Sequence, residues 1–131
     1  MGIKMLGHRS TLLAIALALG AQTALASSNV DESMKQLAAK SGCIACHGIE
    51  PDTKGPDRMA PIGPPWKDVA ERYKGDKTAG KALTKTVLEG NNPYRAHWKD
   101  QVSGIAMPPN AVAINETDAK KLVNWILALK K

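Results

Sequence analysis

The sequence has no phenylalanine, and its three tryptophans and two tyrosines amount to only 4% of the chain. With so few aromatic side chains and no nucleic-acid-binding motif, the chain has no platform on which bases could stack, which argues against a nucleic-acid-binding protein. It also has no convincing run in which β-branched or aromatic residues alternate with polar ones, as they do in half-buried strands. This absence favours an all-α fold.

Cysteine and histidine are also scarce. Outside the N-terminal segment, they occur only in the run Cys43-Ile44-Ala45-Cys46-His47 and at His97. A structural zinc site needs four ligands, and this set makes a poor tetrahedron. A thioredoxin-like redox pair would follow a strand, and no strand-like run precedes Cys43. A simple disulfide between the two cysteines would leave the adjacent His47 unexplained.

The run from Cys43 to His47 instead has the spacing that attaches a haem covalently. Residues at i, i+3 and i+4 share one face of a helical turn, so Cys43, Cys46 and His47 can all address one flat object. The thiols can add to two vinyl groups of a porphyrin while the imidazole reaches the iron. We therefore predict one covalent haem c, attached at Cys43 and Cys46, with His47 as an axial ligand.

Residues 1–26 have the features of a secretory signal peptide. Lys4 and Arg9 are followed by an apolar run from Leu12 to Leu19 and by the small-residue stretch Ala24-Leu25-Ala26. The run is too short to span a bilayer as a helix unless helped, so cleavage after about Ala26 is favoured over an uncleaved anchor. Residues 27–131 would then form a single exported domain, and we predict a periplasmic location.

The charged residues are dispersed along the chain. Loss of Lys4 and Arg9 with the signal peptide lowers the formal net charge from +6 to +4. A spread of lysines is compatible with acidic partners and with docking that weakens as salt is added. The acidic residues form no arrangement of catalytic acid, base or nucleophile, so the sequence does not predict an enzyme.

Apolar residues at helical spacing predict four helices, over about residues 30–41, 66–75, 79–90 and 116–129. Ser28 or Asn29 is a suitable cap for the first helix and Asn115 for the last, and Gly42 suits the C-terminal end of the first. Because glycine allows close approach, Trp125 is expected to pack across Gly42 and join the two ends of the domain.

A six-coordinate iron needs a second axial ligand opposite His47. Met107 is the strongest candidate, because Pro108 and Pro109 stiffen its loop and hold the sulfur at a fixed distance. His97 is the main alternative, and Met59 or an open position are others. A His/Met pair would raise the reduction potential, whereas two imidazoles would lower it.

Three segments together resemble the small class I bacterial cytochromes c, of the cytochrome c-551 or c8 type. They are the run from Cys43 to His47, the run Gly63-Pro64-Pro65-Trp66-Lys67-Asp68-Val69-Ala70, and the run Met107-Pro108-Pro109-Asn110; Asn124-Trp125-Ile126-Leu127 near the C-terminus agrees with them. The resemblance implies four to five short helices wrapped around one covalently bound haem. It also implies His47 and Met107 as axial ligands and the Pro64 carbonyl as hydrogen-bond acceptor for His47.

The function that this resemblance implies is a monomeric, soluble one-electron carrier in the periplasm. Its partners would be redox proteins of the respiratory chain: a cytochrome bc1-type donor, and a terminal oxidase or nitrite-reductase-type acceptor. Two other functions stay open: a haem protein whose displaceable sixth ligand allows a small ligand to bind, and a dedicated subunit through which electrons reach a periplasmic reductase or oxidase. The loops before Gly63 and before Met107 are longer than is usual in the family.

Overall fold

The computed structural model describes residues 27–95 and 97–131, so the predicted signal peptide lies outside the described residues. The described chain contains helices and loops, with no strand within these ranges. Residues 27–40 form helix α1, followed by α2 over Trp66–Arg72, α3 over Ala79–Glu89 and α4 over Glu116–Ala128. Single turns of 3-10 helix occur at Cys43–Ala45, Pro56–Arg58 and Pro93–Arg95. The all-α prediction is confirmed.

By its internal contacts the chain divides into two units, residues 1–33 and residues 34–131. The described part of the first unit, residues 27–33, is helical and largely exposed. Here the predicted beginning of α1 is wrong, since Ser28 and Asn29 are already helical and cannot be its cap. Val30, expected on the buried face, is 52% exposed.

The second unit has one apolar core. Helix α4 packs against α2 and α3, and its predicted buried stripe is confirmed, with Leu122 and Ile126 at most 7% exposed. The Asn115 cap is also confirmed, because its Oδ1 accepts a hydrogen bond of 2.9 Å from the backbone N–H of Asp118. Ala38 of α1 is fully buried in the same core.

The predicted reason for a glycine at position 42, room for the close approach of Trp125, is wrong. A Cβ placed on Gly42 would meet no heavy atom within 4 Å, so no neighbour requires a glycine by close approach. Glycine is needed there because its φ is +75°, a left-handed conformation that ends α1 and starts the turn at Cys43. Trp125 instead meets Trp66 edge to face, with ring centroids 5.7 Å apart.

Candidate functional site

The segment from Cys43 to His47 forms a tight turn directly after α1. Residues Cys43–Ala45 are 3-10 helical, and the backbone N–H groups of Cys46 and His47 both point to the carbonyl of Cys43, at 3.3 and 3.1 Å. This turn brings both cysteines and His47 to the wall of one cavity. Cys43 is half-buried and Cys46 is exposed. Burial raises the pKa of the Cys43 thiol, which keeps it protonated.

The His47 ring is held from several sides. Its Nδ1 lies 2.8 Å from the carbonyl oxygen of Pro64, which can only accept, so Nδ1 carries the proton and Nε2 keeps its lone pair. The ring stacks on Trp66, with centroids 6.0 Å apart. Burial lowers the pKa of His47, and the hydrogen bond to Pro64 opposes this only in part. The imidazole is therefore neutral and oriented, as a metal ligand must be.

Gly63 is a site residue to which sequence reasoning gave no role of its own. Its N–H donates to the carbonyl of Cys46 at 2.7 Å, which fixes the loop that contains Pro61, Pro64 and Pro65 against the turn. A Cβ at this position would lie 2.6 Å from Cε1 of His47 and 2.8 Å from each ring nitrogen. Only glycine therefore leaves room for the imidazole. In the sequence, the only signal at this position is the pair Gly63-Pro64, and no neighbouring residue indicates a contact with His47.

Met107 lines the same cavity as His47 and is held at the C-terminal end of α3. Its backbone N–H donates to Oδ1 of Asn91 at 2.7 Å, and its carbonyl accepts from the N–H of Asn91 at 3.1 Å. Gly90, which directly precedes Asn91, has a φ of +79°, and a Cβ there would lie 2.8 Å from the Met107 carbonyl oxygen. Glycine is needed at this position for both its backbone conformation and its small size.

The cavity has a volume of about 260 Å³ and is lined mainly by apolar side chains from α2, α3, α4 and the loops. The residues that contribute to it beyond those already described include Ile62, Val69, Leu83, Val87, Ala106, Leu122, Val123 and Ile126. The wall of the cavity thus includes two cysteines, one oriented histidine and one methionine, and the rest of it is mainly apolar. These residues fit a covalently attached haem, because they offer sulfur for its vinyl groups, nitrogen and sulfur for its iron, and hydrocarbon for its faces. Residues 27–95 and 97–131 hold no group of three His, Cys, Asp or Glu side chains suited to a bare metal ion.

The alternative ligands differ in where they lie. His97 lines the cavity, but its Nδ1 is 2.7 Å from the hydroxyl of Tyr73, and the two rings stack with centroids 6.1 Å apart. Trp98 beside it also lines the cavity and lies under the guanidinium of Arg72, 5.0 Å from the ring centroid. Met59, in contrast, is 62% exposed and is not part of the cavity wall.

The loop before Gly63 and the loop before Met107 meet each other. The backbone N–H of Ser103 donates to the carbonyl of Pro61 at 2.9 Å, and that of Gly104 donates to the carbonyl of Ile62 at 3.0 Å. A Cβ at Gly104 would lie only 2.4 Å from the Ile62 oxygen, so glycine is needed for this approach. The loop that supplies Pro64 and the loop that leads to Met107 are thus joined by backbone hydrogen bonds.

Comparison with known proteins agrees with this arrangement. The family model for cytochrome c matches residues 32–130. The chain belongs to the cytochrome c family. It is 40% identical over 93 residues to cytochrome c-551 of Allochromatium vinosum, covering 71% of this chain and 82% of that protein. Cytochrome c-551 of Pseudomonas aeruginosa is 35% identical over 112 residues, covering 86% of this chain and 91% of the relative.

A solved structure of this family shares the fold. The crystal structure of cytochrome c552 from Nitrosomonas europaea superposes with a TM-score of 0.57 at 35% identity, covering 73% of this chain and 99% of that one. The predictions of a class I cytochrome c of the c-551 type and of one covalent haem c are therefore confirmed. The cytochrome is an electron-transfer protein of a family of small carriers, which are not enzymes. Among the residues described, no helix has the length and apolar character needed to cross a bilayer.

Proposed function

We propose that this cytochrome c is a periplasmic one-electron carrier whose haem is attached at Cys43 and Cys46 and whose iron is ligated by His47 and Met107. The observation that carries the proposal is a single cavity lined by all four side chains, with His47 already oriented by Pro64. Bound haem supplies a reversible one-electron couple between ferrous and ferric iron. The chain itself supplies the thiols for attachment, the side chains that would ligate the iron and the apolar surroundings.

The attachment chemistry suits the state of the two thiols. Each sulfur would form a bond to one carbon of a vinyl group, while the thiol proton goes to the neighbouring carbon, so that no oxidant or reductant is consumed. Neither cysteine is in a disulfide, so both sulfurs are free for this addition. Cys46 is exposed, which leaves it accessible during attachment.

The residues that would ligate the iron are held in place before haem binds, which would favour fast electron transfer. The Nδ1–H bond to the Pro64 carbonyl and the contact with Gly63 fix the His47 ring, so Nε2 needs no rearrangement to serve as a ligand. The backbone of Met107 is fixed by Asn91. Apolar side chains line the cavity and would limit the access of water to the iron of a bound haem. A His/Met pair in apolar surroundings favours the ferrous state and a high potential.

A visible spectrum of the exported holoprotein, recorded during a redox titration, tests the ligand set. We expect a weak red sulfur-to-iron charge-transfer band in the ferric protein, a high reduction potential, and no shift of the ferrous Soret band with carbon monoxide. Absence of the band together with a carbon monoxide shift would instead support a haem protein that binds small ligands. A haem stain that survives denaturation, and is lost when both Cys43 and Cys46 are replaced by alanine, tests the attachment.

The location and partners require separate measurements. N-terminal sequencing of protein from the periplasmic fraction should begin at about Ser27, and a chain that still begins at Met1 in the membrane fraction would contradict cleavage. With a net charge of +4 after removal of the signal, electron exchange with an acidic bc1-type donor or an acidic oxidase or nitrite-reductase-type acceptor should slow as salt is added. A rate indifferent to ionic strength would count against steering by the lysines.

A further inference from the structure

Both backbone polar groups of Met107 are bonded to one residue, Asn91, which lies 16 positions earlier. The side-chain oxygen of Asn91 accepts from the Met107 N–H at 2.7 Å, and the backbone N–H of Asn91 donates to the Met107 carbonyl at 3.1 Å. Both residues are half-buried, so water competes only in part for these groups. The side-chain bond depends on the residue type at position 91, whereas the backbone bond does not.

Backbone hydrogen bonds also hold the loop a few residues away from Met107 on either side. After it, the N–H of Asn110 donates to the carbonyl of Val87 at 3.1 Å, which ties that part of the loop to the end of α3. Before it, Ser103 and Gly104 are bonded to Pro61 and Ile62, but residues 105 and 106, which lie between them and Met107, are exposed, Ile105 to 81%. On this leading side the Asn91 side chain is therefore the contact that fixes the first backbone atom of Met107.

We infer that Asn91 is a positioning residue for the Met107 ligand, whose amide oxygen limits how readily the sulfur leaves the iron. The inference rests on the proposed ligation by Met107. The sulfur can move furthest from the iron when the Met107 backbone shifts together with the side chain, and such a shift would break the bond to Asn91. Without the amide, the Met107 N–H has no side-chain acceptor, and its backbone can move at lower cost.

Exchange of Met107 for an added ligand measures this effect directly. Imidazole is mixed with the ferric holoprotein in stopped flow, at concentrations where the rate is limited by departure of the sulfur. Removal of a partner from a half-buried hydrogen bond predicts about a tenfold faster limiting rate for Asn91→Ala. Asn91→Asp keeps an acceptor oxygen and should return the rate toward that of the wild type. If Asn91→Ala yields no holoprotein, Asn91→Leu, similar in shape but without an acceptor, takes its place.

The matched control is the neighbouring Asn92, whose Oδ1 accepts from the N–H of Tyr94 at 2.9 Å. Asn92→Ala removes the same kind of side chain from the same loop and should leave the limiting rate unchanged. Equal rates for Asn91→Ala and the wild type would overturn the inference, as would an equal rise in Asn92→Ala. A wild-type ferric protein without the sulfur-to-iron band would refute ligation by Met107 itself, whereas a wild-type band with unchanged exchange in Asn91→Ala refutes only the role of Asn91.

Discussion

Substitution of Gly63 by alanine tests whether the His47 ring is held as tightly as its contacts indicate. The new Cβ would lie 2.6 Å from Cε1 of the ring and 2.8 Å from both nitrogens, well inside the distance at which carbon and nitrogen atoms repel. The loop cannot easily yield, because the Gly63 N–H is bonded to the Cys46 carbonyl at 2.7 Å. The ring cannot easily yield either, because it stacks on Trp66 and is bonded to Pro64.

Inserting a methyl group into such a packed contact costs about 1–3 kcal/mol. If the displaced ring also loses its bond to the Pro64 carbonyl, about a further 1 kcal/mol is lost. We therefore expect the free energy of unfolding of Gly63→Ala holoprotein to fall by about 2–4 kcal/mol. The assay is equilibrium unfolding of the ferric protein in guanidinium chloride, followed by Soret absorbance and tryptophan fluorescence.

The control for this substitution is Gly80→Ala in α3. A Cβ on Gly80 would lie at an ordinary contact distance of 3.4 Å from Oδ1 of Asn124, and alanine favours a helix by up to about 1 kcal/mol over glycine. Gly80→Ala should therefore be as stable as the wild type or more so. If Gly63→Ala unfolds within about 0.5 kcal/mol of the wild type, the argument that Gly63 makes room for His47 is refuted.

Three further predictions concern the Met107 loop and the start of α4. Gly90→Ala should destabilise the holoprotein by about 1–3 kcal/mol and weaken the ferric sulfur-to-iron band, because the left-handed backbone and the Met107 carbonyl leave no room for a Cβ; unchanged stability and an unchanged band would contradict this. Asn115→Ala should cost about 1 kcal/mol in guanidinium unfolding, and Asn115→Ser should recover most of it; an equal loss in both would contradict the capping role. Hydrogen bonds from Lys121 and then from Asn115 lower the pKa of the Asp118 carboxyl below 3.8, so the stability from this carboxylate is present above pH 3.8 and is lost as the pH falls through the lower folded-state value. Thermal unfolding of Asp118→Asn between pH 2 and pH 5 should therefore show a shallower fall at acid pH than the wild type, and parallel curves would contradict this assignment.

The helices of the second unit could be predicted because their signals are local. The apolar residues of α4 recur at helical spacing, and Asn115 lies three residues before Asp118, as a capping residue does. The structure contains both the apolar stripe and the cap. At α1 the same reasoning placed the cap wrongly, because residues favoured at caps also occur inside helices, and Ser28 and Asn29 lie within the helix that covers residues 27–40. The spacing of Cys43 to His47 predicted a covalent haem c, and membership of the cytochrome c family confirms that cofactor.

What the sequence could not indicate are contacts between distant residues. Gly63 meets the ring of His47, 16 positions earlier, and Asn91 meets Met107, 16 positions later, yet neither has a periodic pattern or a motif that predicts its partner. At Gly42 the error was the opposite one, because a contact with a distant residue was predicted where the local backbone conformation is the reason for glycine. A glycine beside a haem motif suggested close packing with α4, while its left-handed φ was sufficient reason for its presence.

The loop before Gly63 and the loop before Met107 are coupled through their backbone hydrogen bonds. The N–H groups of Ser103 and Gly104 use the carbonyls of Pro61 and Ile62, so each loop supplies partners that the other needs. Deleting residues from one loop alone would move these groups out of register and leave them to pair with water. The two loops therefore form one structural unit, and a shortened version of this cytochrome would keep these hydrogen bonds only if Ser103 and Gly104 stay opposite Pro61 and Ile62.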